Sequence, residues 1–251
     1  MSLATKEAVE ALLRQKAASG AEWSESEKDF IRSYEGGGGI QGATGRGVID
    51  EFYTPAYIAS LMWLLAKQHG YQRGTPVLEP SCGPGRFFAD APLDSPLVGF
   101  EINPFSYQIA QVLYPQATLY PHYFETAFLE PERFTTRIKD HRKPTWLKDY
   151  PFGLVIGNPP YGVYKNQYSG YFKNPKVHQI ENFFMYYGLQ LLAPGGLLIY
   201  LTSSNFMRNG EKYESIKEKI GEIALLRDAI RLPSVFKNSK VPVDILVFRR
   251  L

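Results

Sequence analysis

Four consecutive residues, Asn158 to Tyr161, combine hydrogen-bond acceptors with an aromatic face. They read Asn-Pro-Pro-Tyr and follow the apolar segment FGLVIG at 152–157. The Asn158 side-chain oxygen and the carbonyl of Pro159 are two acceptors, and proline locks φ at both Pro159 and Pro160, so the acceptors are rigid. Rigid acceptors aimed at developing charge cost little reorganisation, and Tyr161 adds a face for stacking. The simpler interpretation is a proline-rich strand exit with a surface tyrosine.

A second candidate site is the segment VLEPSCGPGRFF, in which Gly83 and Gly85 follow an apolar strand and precede an expected helix. Glycine lets a backbone adopt positive φ and approach a ligand closely. The spacing is not Gly-x-Gly-x-x-Gly, and no Lys-Ser/Thr pair follows, which disfavours a dinucleotide or ATP. A plain tight turn is the alternative. Cys82, in the same loop, is expected to be a small packed side chain.

The next apolar strand ends in GFEI, with Glu101 about 20 residues beyond the start of the glycine loop. A carboxylate at this place can accept hydrogen bonds from both ribose hydroxyls of an adenosine. Ile102 is then expected to pack on the adenine face. Phe124 and Glu125, which follow the third strand, are expected to reach the other adenine edge.

These residues need a scaffold, and the pattern from residue 76 onward alternates apolar strands with amphipathic helices. Such a pattern predicts an α/β fold whose mostly parallel sheet is covered on both faces. Ligands of such sheets bind at the carboxyl ends of the strands. The seven predicted strands are 76–81, 96–102, 117–124, 152–158, 197–204, 225–233 and 243–250. The predicted helices between and before them are 55–69, 104–114, 181–192 and 213–223.

The N-terminal part has a different pattern. Apolar spacing predicts a helix over 4–19, and a capping box predicts a second helix that begins at Ser24. The glycine-rich run EGGGGIQGATGRG at 35–47 is expected to lack regular structure. It is either a flexible linker or a loop that closes over a ligand.

Composition narrows the class of protein. The chain of 251 residues with 44% hydrophobic residues suits one large α/β domain, with or without a small appendage. The N-terminus does not read as a signal peptide, and no apolar run approaches the ~18 residues of a membrane span, so we expect a cytoplasmic protein. A single cysteine excludes a disulfide framework and disfavours structural zinc. The net charge of +3 permits a nucleic-acid partner without arguing for one.

The segments FYTP, EPSCGPGRF, GFEI and NPPY occur in the order that resembles class γ DNA adenine-N6 methyltransferases. VFKN at 235–238 is similar to a later aromatic motif of that family. The resemblance covers about residues 46–251 and implies a seven-stranded, Rossmann-like methyltransferase sheet that binds S-adenosylmethionine. Residues 1–45 then form a small helical N-terminal extension outside the family core.

The resemblance implies methyl transfer to the N6 amino group of an adenine flipped out of DNA, without a metal. That amine is a poor nucleophile, and Asn158 and the Pro159 carbonyl would activate it by accepting hydrogen bonds from both of its N–H groups. Tyr161 and Phe236 would contact the base, although Phe236 could equally be a core residue. The implied cofactor-binding residues are Tyr53, Thr54, Pro55, Glu79, Pro80, Ser81, Gly83, Gly85, Glu101, Ile102, Phe124, Glu125 and Asn158. For Thr54 the alternative is an N-cap of the helix that starts at Pro55.

The segment 162–178 interleaves Lys165, Lys173 and Lys176 with three tyrosines and has no acid. This composition suits contacts with a nucleic-acid backbone and bases, and we assign Lys165 and Lys173 to the substrate. An ordinary solvated loop is the alternative.

The family normally carries a target-recognition domain after the sheet, and the sequence ends at Leu251. We therefore expect that a domain or subunit from elsewhere supplies DNA recognition, or that little sequence is read. Two other functions remain open. Glutamine-N5 protein methyltransferases also use NPPY but lack FYTP before the glycine loop, and a non-catalytic module binding DNA or S-adenosylmethionine could form part of a larger protein.

Overall fold

The computed structural model describes residues 4–36, 40–41, 48–49, 53–208, 211–233, 235 and 242–251. The helices are α1 (Lys6–Ser19), α2 (Glu25–Arg32), α3 (Ala56–Gln68), α4 (Pro104–Leu113), α5 (Ile180–Gln190) and α6 (Glu211–Gly221). The strands are β1 (Ile40–Gln41), β2 (Val48–Ile49), β3 (Val77–Glu79), β4 (Leu97–Phe100), β5 (Thr118–Tyr120), β6 (Phe152–Gly157), β7 (Leu192–Ser203), β8 (Ala224–Leu232) and β9 (Val243–Arg250). In the described part of the chain, no helix is both long enough and apolar enough to cross a membrane.

Seven strands form one sheet in the order β5-β4-β3-β6-β7-β9-β8, and the predicted fold class is confirmed. The strands from β3 to β7 pair in parallel, whereas β9 runs antiparallel to both of its neighbours, β7 and β8. The seven predicted strands and the helices predicted at 55–69, 104–114, 181–192 and 213–223 all exist, with shifted ends.

Helices cover both faces of the sheet because its central strands are apolar on both sides. Leu197, Ile199 and Leu201 of β7 pack with α1 to α4, whereas Leu198 and Tyr200 pack with α5 and α6 on the other face. Strands buried in this way read as continuous apolar runs, which is how the sequence revealed them.

The strand order reverses at β3 and β6. β3 pairs with β4 on one side and with β6 on the other, and Val77 is level with both Leu97 and Leu154. The chain leaves these two strands in opposite directions along the sheet, which opens a crevice at their carboxyl ends. The glycine loop follows β3 and Asn158 follows β6, so both candidate segments lie at this crevice.

Three local predictions were wrong. The glycine loop leads into one 3₁₀ turn, Arg86–Phe88, rather than a longer helix, because Phe87 and Phe88 turn into the core. The segment APGG at 193–196, expected to separate the helix 181–192 from the strand 197–204, lies inside β7, where the ladder with β6 shifts register between Phe152 and Leu154. The glycine-rich run contains β1, which pairs with β2. This pairing uses backbone N–H and C=O groups, which glycine residues also have.

The N-terminal helices pack on the same core as the sheet. The capping box predicted at Ser24 is present: Ser24 accepts a hydrogen bond from the Glu27 amide, and the Glu27 side chain accepts one from the Ser24 amide. Val9, Ile31 and Tyr34 join the hydrophobic cluster of α3 and β7. The division of the chain at residue 45 stays a prediction.

Candidate active site

Glu101 fixes the glycine loop in place. Its Oε2 accepts a hydrogen bond from the Gly83 amide at 2.8 Å, and its Oε1 accepts one from the Asn103 amide at 2.6 Å. Gly83 has φ of +53°, in the left-handed region that glycine adopts most readily. The carboxylate therefore joins the end of β4 to the turn that follows β3.

Glu79, the last residue of β3, is a carboxyl buried at the bottom of the crevice. It is 1% exposed, and its Oε2 has no hydrogen-bond partner among the described residues. Burial raises the pKa of Glu79 well above its ordinary value, and the nearby charge of Glu101 raises it further. Burial likewise raises the pKa of the Cys82 thiol, in keeping with its predicted role as a packed side chain.

The crevice is small. Its volume is about 30 Å³, and the predicted cofactor residues that line it are Tyr53, Thr54, Glu79, Ser81, Gly83 and Asn158. That space is sufficient for about one water molecule. A ligand of nucleoside size therefore requires a neighbouring side chain to move.

The Tyr53 side chain lies against the glycine loop where that loop lines the crevice. Its ring lies 3.6 Å from the place a Cβ would take on Gly83, and its hydroxyl shares a hydrogen bond of 2.6 Å with the Ser106 hydroxyl. Tyr34, at the end of the N-terminal helices, meets the Tyr53 ring edge-on with 5.9 Å between the centroids. The N-terminal extension thus reaches the predicted cofactor site.

Thr54 does not cap α3. The N-cap of that helix is Pro55, which makes no side-chain capping bond, so the alternative role predicted for Thr54 is wrong. Its side chain is instead buried beside the crevice.

The Asn-Pro-Pro-Tyr segment leaves β6 next to the glycine loop. The Ser81 hydroxyl donates to the Asn158 carbonyl at 3.3 Å and links the two loops directly. The Tyr161 hydroxyl lies 2.7 Å from Asn158 Oδ1 and 3.3 Å from the Leu201 carbonyl. Tyr161 is therefore folded back onto the acceptor that we expected to face an amine. Burial, and then the charge of Glu181, raise the pKa of Tyr161, so its hydroxyl stays a donor.

Glu181 is a residue of the site that the sequence interpretation missed. It lies in the first turn of α5, is 1% exposed, and accepts hydrogen bonds from the Gly162 amide at 3.2 Å and the Ser203 hydroxyl at 2.9 Å. Burial raises the pKa of Glu181. A lone acid in the otherwise uncharged helix IENFFMYYGLQ was the signal available in the sequence.

The remaining predicted residues divide between core and surface. Phe124 is 2% exposed and packs against Phe100 and Phe184, so its side chain belongs to the core. Glu125 is buried and accepts a hydrogen bond from the Asn166 side chain. Pro80, Pro159 and Gly85 are buried, Ile102 and Pro160 are half-buried, and Lys165 and Lys173 are exposed. Phe236 and residues 37–39 and 42–47 of the glycine-rich run lie outside the described residues.

Comparison with protein families gives a match to the Eco57I restriction-modification methylase family over residues 96–236, more than half of the chain. Defense against restriction protein B of Escherichia phage P1 is 25% identical over 236 residues, which are 92% of this chain and 9% of that protein. Type II methyltransferase M.CvrRI of Paramecium bursaria Chlorella virus XZ-6E is 30% identical over 113 residues, 44% of this chain and 24% of that protein. The chain thus spans at most a quarter of these relatives.

A similar fold occurs in a class I S-adenosylmethionine-dependent methyltransferase, described as putative, from Listeria monocytogenes. The TM-score is 0.64 at 17% identity, over 98% of this chain and 75% of that one. At this identity the likeness concerns the fold, and it agrees with the strand order of the sheet.

The buried carboxyl of Glu79 should lower the stability of the free protein. The folded state raises its pKa above the unfolded value, so the folded chain binds its proton more tightly and stability falls as pH rises above about 4.5. We expect Glu79→Gln to raise the free energy of unfolding at pH 8 by about 1–2 kcal/mol and to have little effect at pH 4.

Urea unfolding at both pH values measures this difference. Glu101→Gln is the matched control, since it places an amide nitrogen against a backbone N–H and should destabilise the fold by about 1–3 kcal/mol. A Glu79→Gln protein that is less stable than the parent at pH 8 would show that the carboxylate has partners and is not strained.

Proposed function

The chain belongs to the Eco57I restriction-modification methylase family, and from this premise we propose that it methylates the N6 amino group of adenine in DNA, with S-adenosylmethionine as the methyl donor. One observation carries the proposal. The acceptors of the Asn-Pro-Pro-Tyr segment lie beside the glycine loop, with Ser81 bonded to the Asn158 carbonyl at 3.3 Å. An amine held at Asn158 would thus be adjacent to a ligand held by that loop.

The crevice residues suit a cationic nucleoside cofactor. The unpartnered Oε2 of Glu79 is a buried acceptor that a positive group would satisfy. The Glu101 carboxylate, which holds the Gly83 and Asn103 amides, stands at the end of β4, where an acid can accept hydrogen bonds from ribose hydroxyls. When bound, S-adenosylmethionine supplies a methyl group already activated on a sulfonium. The relative from Listeria monocytogenes is described as dependent on this cofactor.

Asn158 and Pro159 would hold and activate the acceptor amine. The Asn158 side-chain oxygen and the Pro159 carbonyl would each accept a hydrogen bond from the amine, which raises electron density on nitrogen and stabilises the positive charge that develops there. The methylated nitrogen would then lose one proton to water. The prolines keep both oxygens in place, because their φ angles cannot change. These residues need only position and polarise the amine, since the leaving group is activated without them.

Tyr161 must exchange partners when the base arrives. Its hydroxyl is 2.7 Å from the Asn158 oxygen, the same atom that the amine needs. The base amine would replace the hydroxyl on Asn158, and the released ring of Tyr161 would then be free to stack on the base. In the base-free protein, the hydroxyl keeps the Asn158 acceptor satisfied.

The segment 162–178 would bind the DNA around the flipped base. Lys165, Lys173 and Lys176 are exposed, and Tyr171 is 38% exposed next to them. Binding of an extruded nucleotide needs cations that reach the phosphates and an aromatic ring that reaches the bases. Recognition of a particular DNA sequence would come from other parts of a longer protein or from a partner subunit, as the small share of its relatives that the chain spans suggests.

Asn158→Ala should nearly abolish methyl transfer while leaving cofactor binding nearly intact, because the bulk of the cofactor is expected at the ends of β3 and β4. Loss of one of two acceptors at a developing positive charge should raise the barrier by about 3–4 kcal/mol, as for removal of an oxyanion-hole donor. The measurement is single-turnover methylation of adenine in mixed-sequence DNA, with calorimetry of S-adenosylmethionine binding alongside. A variant with the parental rate would rule out the role of Asn158.

Tyr161→Phe and Tyr161→Ala form a matched pair for the stacking role. The phenylalanine variant keeps the ring and loses the competing hydroxyl, so its rate should equal or exceed that of the parent. The alanine variant should lose about 1–3 kcal/mol of base binding. If both variants lost the same activity, the hydroxyl rather than the ring would be what the reaction needs.

Methylation of protein glutamine in place of DNA would favour the glutamine-N5 alternative.

Glu101→Ala should weaken S-adenosylmethionine binding by about 1.5–3 kcal/mol, as expected for hydrogen bonds to a charged group. Isothermal calorimetry measures the affinity, and a thermal melt shows whether the loop that Glu101 holds remains folded. Asp244→Ala is the control, because Asp244 is also a buried acid but pairs with Arg231 of β8. Equal affinities in the Glu101 variant and the parent would contradict the ribose contact.

Replacement of Lys165 and Lys173 by alanine should weaken DNA binding about equally for all sequences. If each lysine contacts one phosphate, the slope of log affinity against log salt should fall by about 2. Lys67→Ala is the control. Lys67 is exposed near the end of α3, which leads into the start of β3, so it lies away from the carboxyl ends of the strands. An unchanged slope in the double variant would leave segment 162–178 as a solvated loop.

A further inference from the structure

We propose that Glu181 is a positioning residue for the Asn158–Tyr161 segment, which it holds through the backbone amide of Gly162. This role deepens the proposed function and rests on it. Glu181 does not itself reach the amine or the cofactor. It acts on the residue that follows Tyr161 and thereby on where the tyrosine and the Asn158 oxygen lie.

The contacts of Glu181 connect three elements. Its carboxylate lies in the first turn of α5, takes the Gly162 amide on Oε2, and takes the Ser203 hydroxyl at the end of β7 on Oε1. Ser203 is two residues beyond Leu201, whose carbonyl lies 3.3 Å from the Tyr161 hydroxyl. Helix, strand end and catalytic segment therefore meet at one buried side chain.

Gly162 also belongs to a set of backbone hydrogen bonds that join the two ends of segment 162–178. The Gly162 carbonyl accepts from the Ile180 amide at 2.9 Å, and the Tyr164 amide donates to the His178 carbonyl at 2.8 Å. Gly162 has φ of +117°, which a residue with a side chain rarely adopts. With both its amide and its carbonyl bonded to the start of α5, Gly162 is a fixed point between Tyr161 and the basic segment.

A carboxylate suits this place because two donors point at it. The Gly162 N–H cannot turn away, whereas the Ser203 hydroxyl can rotate and accept a hydrogen bond instead. Glutamine can therefore keep the contact with Gly162 through its oxygen while its amide donates to Ser203. Alanine cannot keep either contact, and aspartate draws the oxygens back by one methylene. These substitutions separate the anchor from the negative charge.

The test compares Glu181→Ala, Glu181→Gln and Glu181→Asp with the parent and with Ser203→Ala, a control that keeps the Gly162 contact. Hydrogen exchange of the Gly162 amide, followed by NMR without DNA or cofactor, reports the anchor. Single-turnover methyl transfer and calorimetric binding of S-adenosylmethionine report its consequence. The aspartate and glutamine variants keep a polar group at this buried position. They therefore test the role of Glu181 if the alanine variant does not fold.

In the alanine and aspartate variants we expect exchange at Gly162 to be at least about tenfold faster and methyl transfer to be about 10–100-fold slower. Cofactor affinity should stay within about threefold of the parent, since an anchor bond to Gly162 does not touch the glycine loop. Glu181→Gln and Ser203→Ala should remain within about fivefold of the parent in rate and in exchange, because both keep the Gly162 bond.

Two results would overturn the inference. Parental exchange and rate in the aspartate and alanine variants would show that Gly162 needs no anchor. A glutamine variant as slow as the alanine variant would assign the effect to the charge of Glu181. A parent without methyl transfer on any DNA would count against the proposed function alone, because the exchange measurement still decides whether Glu181 holds Gly162.

Discussion

The parallel pairing of β3 with β6 is the constraint on which the rest of the site depends. Each strand carries one half of the candidate site at its carboxyl end. The glycine loop follows β3, and the Asn-Pro-Pro-Tyr segment follows β6. The order of the sheet reverses at this pair, so no crossover helix covers the two ends. The contact between Ser81 and Asn158 is a direct product of that pairing. Every role proposed above presupposes it.

Three buried carboxyl groups surround this junction, and they differ in how well their oxygens are satisfied. Glu101 and Glu181 each accept at least two hydrogen bonds, which offsets much of the cost of burial. Glu79 has an oxygen without a partner among the described residues. Well-satisfied acids hold loops in place, whereas an acid left unsatisfied is suited to receive a ligand. The same chemical group thus holds a loop at Glu181, would hold a loop and bind ribose at Glu101, and would receive a ligand at Glu79.

The scaffold was predictable from sequence because its signals are local. Strands buried on both faces appear in the sequence as apolar runs. The four residues from Ser24 to Glu27 form a capping box and are sufficient to predict where α2 begins. Boundaries were less predictable where packing overrides local preference. Phe87 and Phe88 turn into the core and leave only a 3₁₀ turn after the glycine loop. Leu192 and Leu197, on either side of the APGG segment, both pair with β6, so the segment lies within β7. In both cases the deciding partner is distant in sequence.

The sequence by itself determined the sheet and the chemical groups at its carboxyl edge, because strand periodicity, glycine spacing and Asn-Pro-Pro-Tyr are contained in short segments. Only the tertiary structure decided how those groups are used. It turned the Tyr161 hydroxyl onto Asn158, placed the Tyr53 ring over Gly83, and brought Glu181 to the amide of Gly162. Tyr161 and Asn158 are neighbours in sequence, but the orientation of the tyrosine depends on Leu201, 40 positions away. Contacts of this kind follow from which strands lie side by side, and no local pattern encodes them.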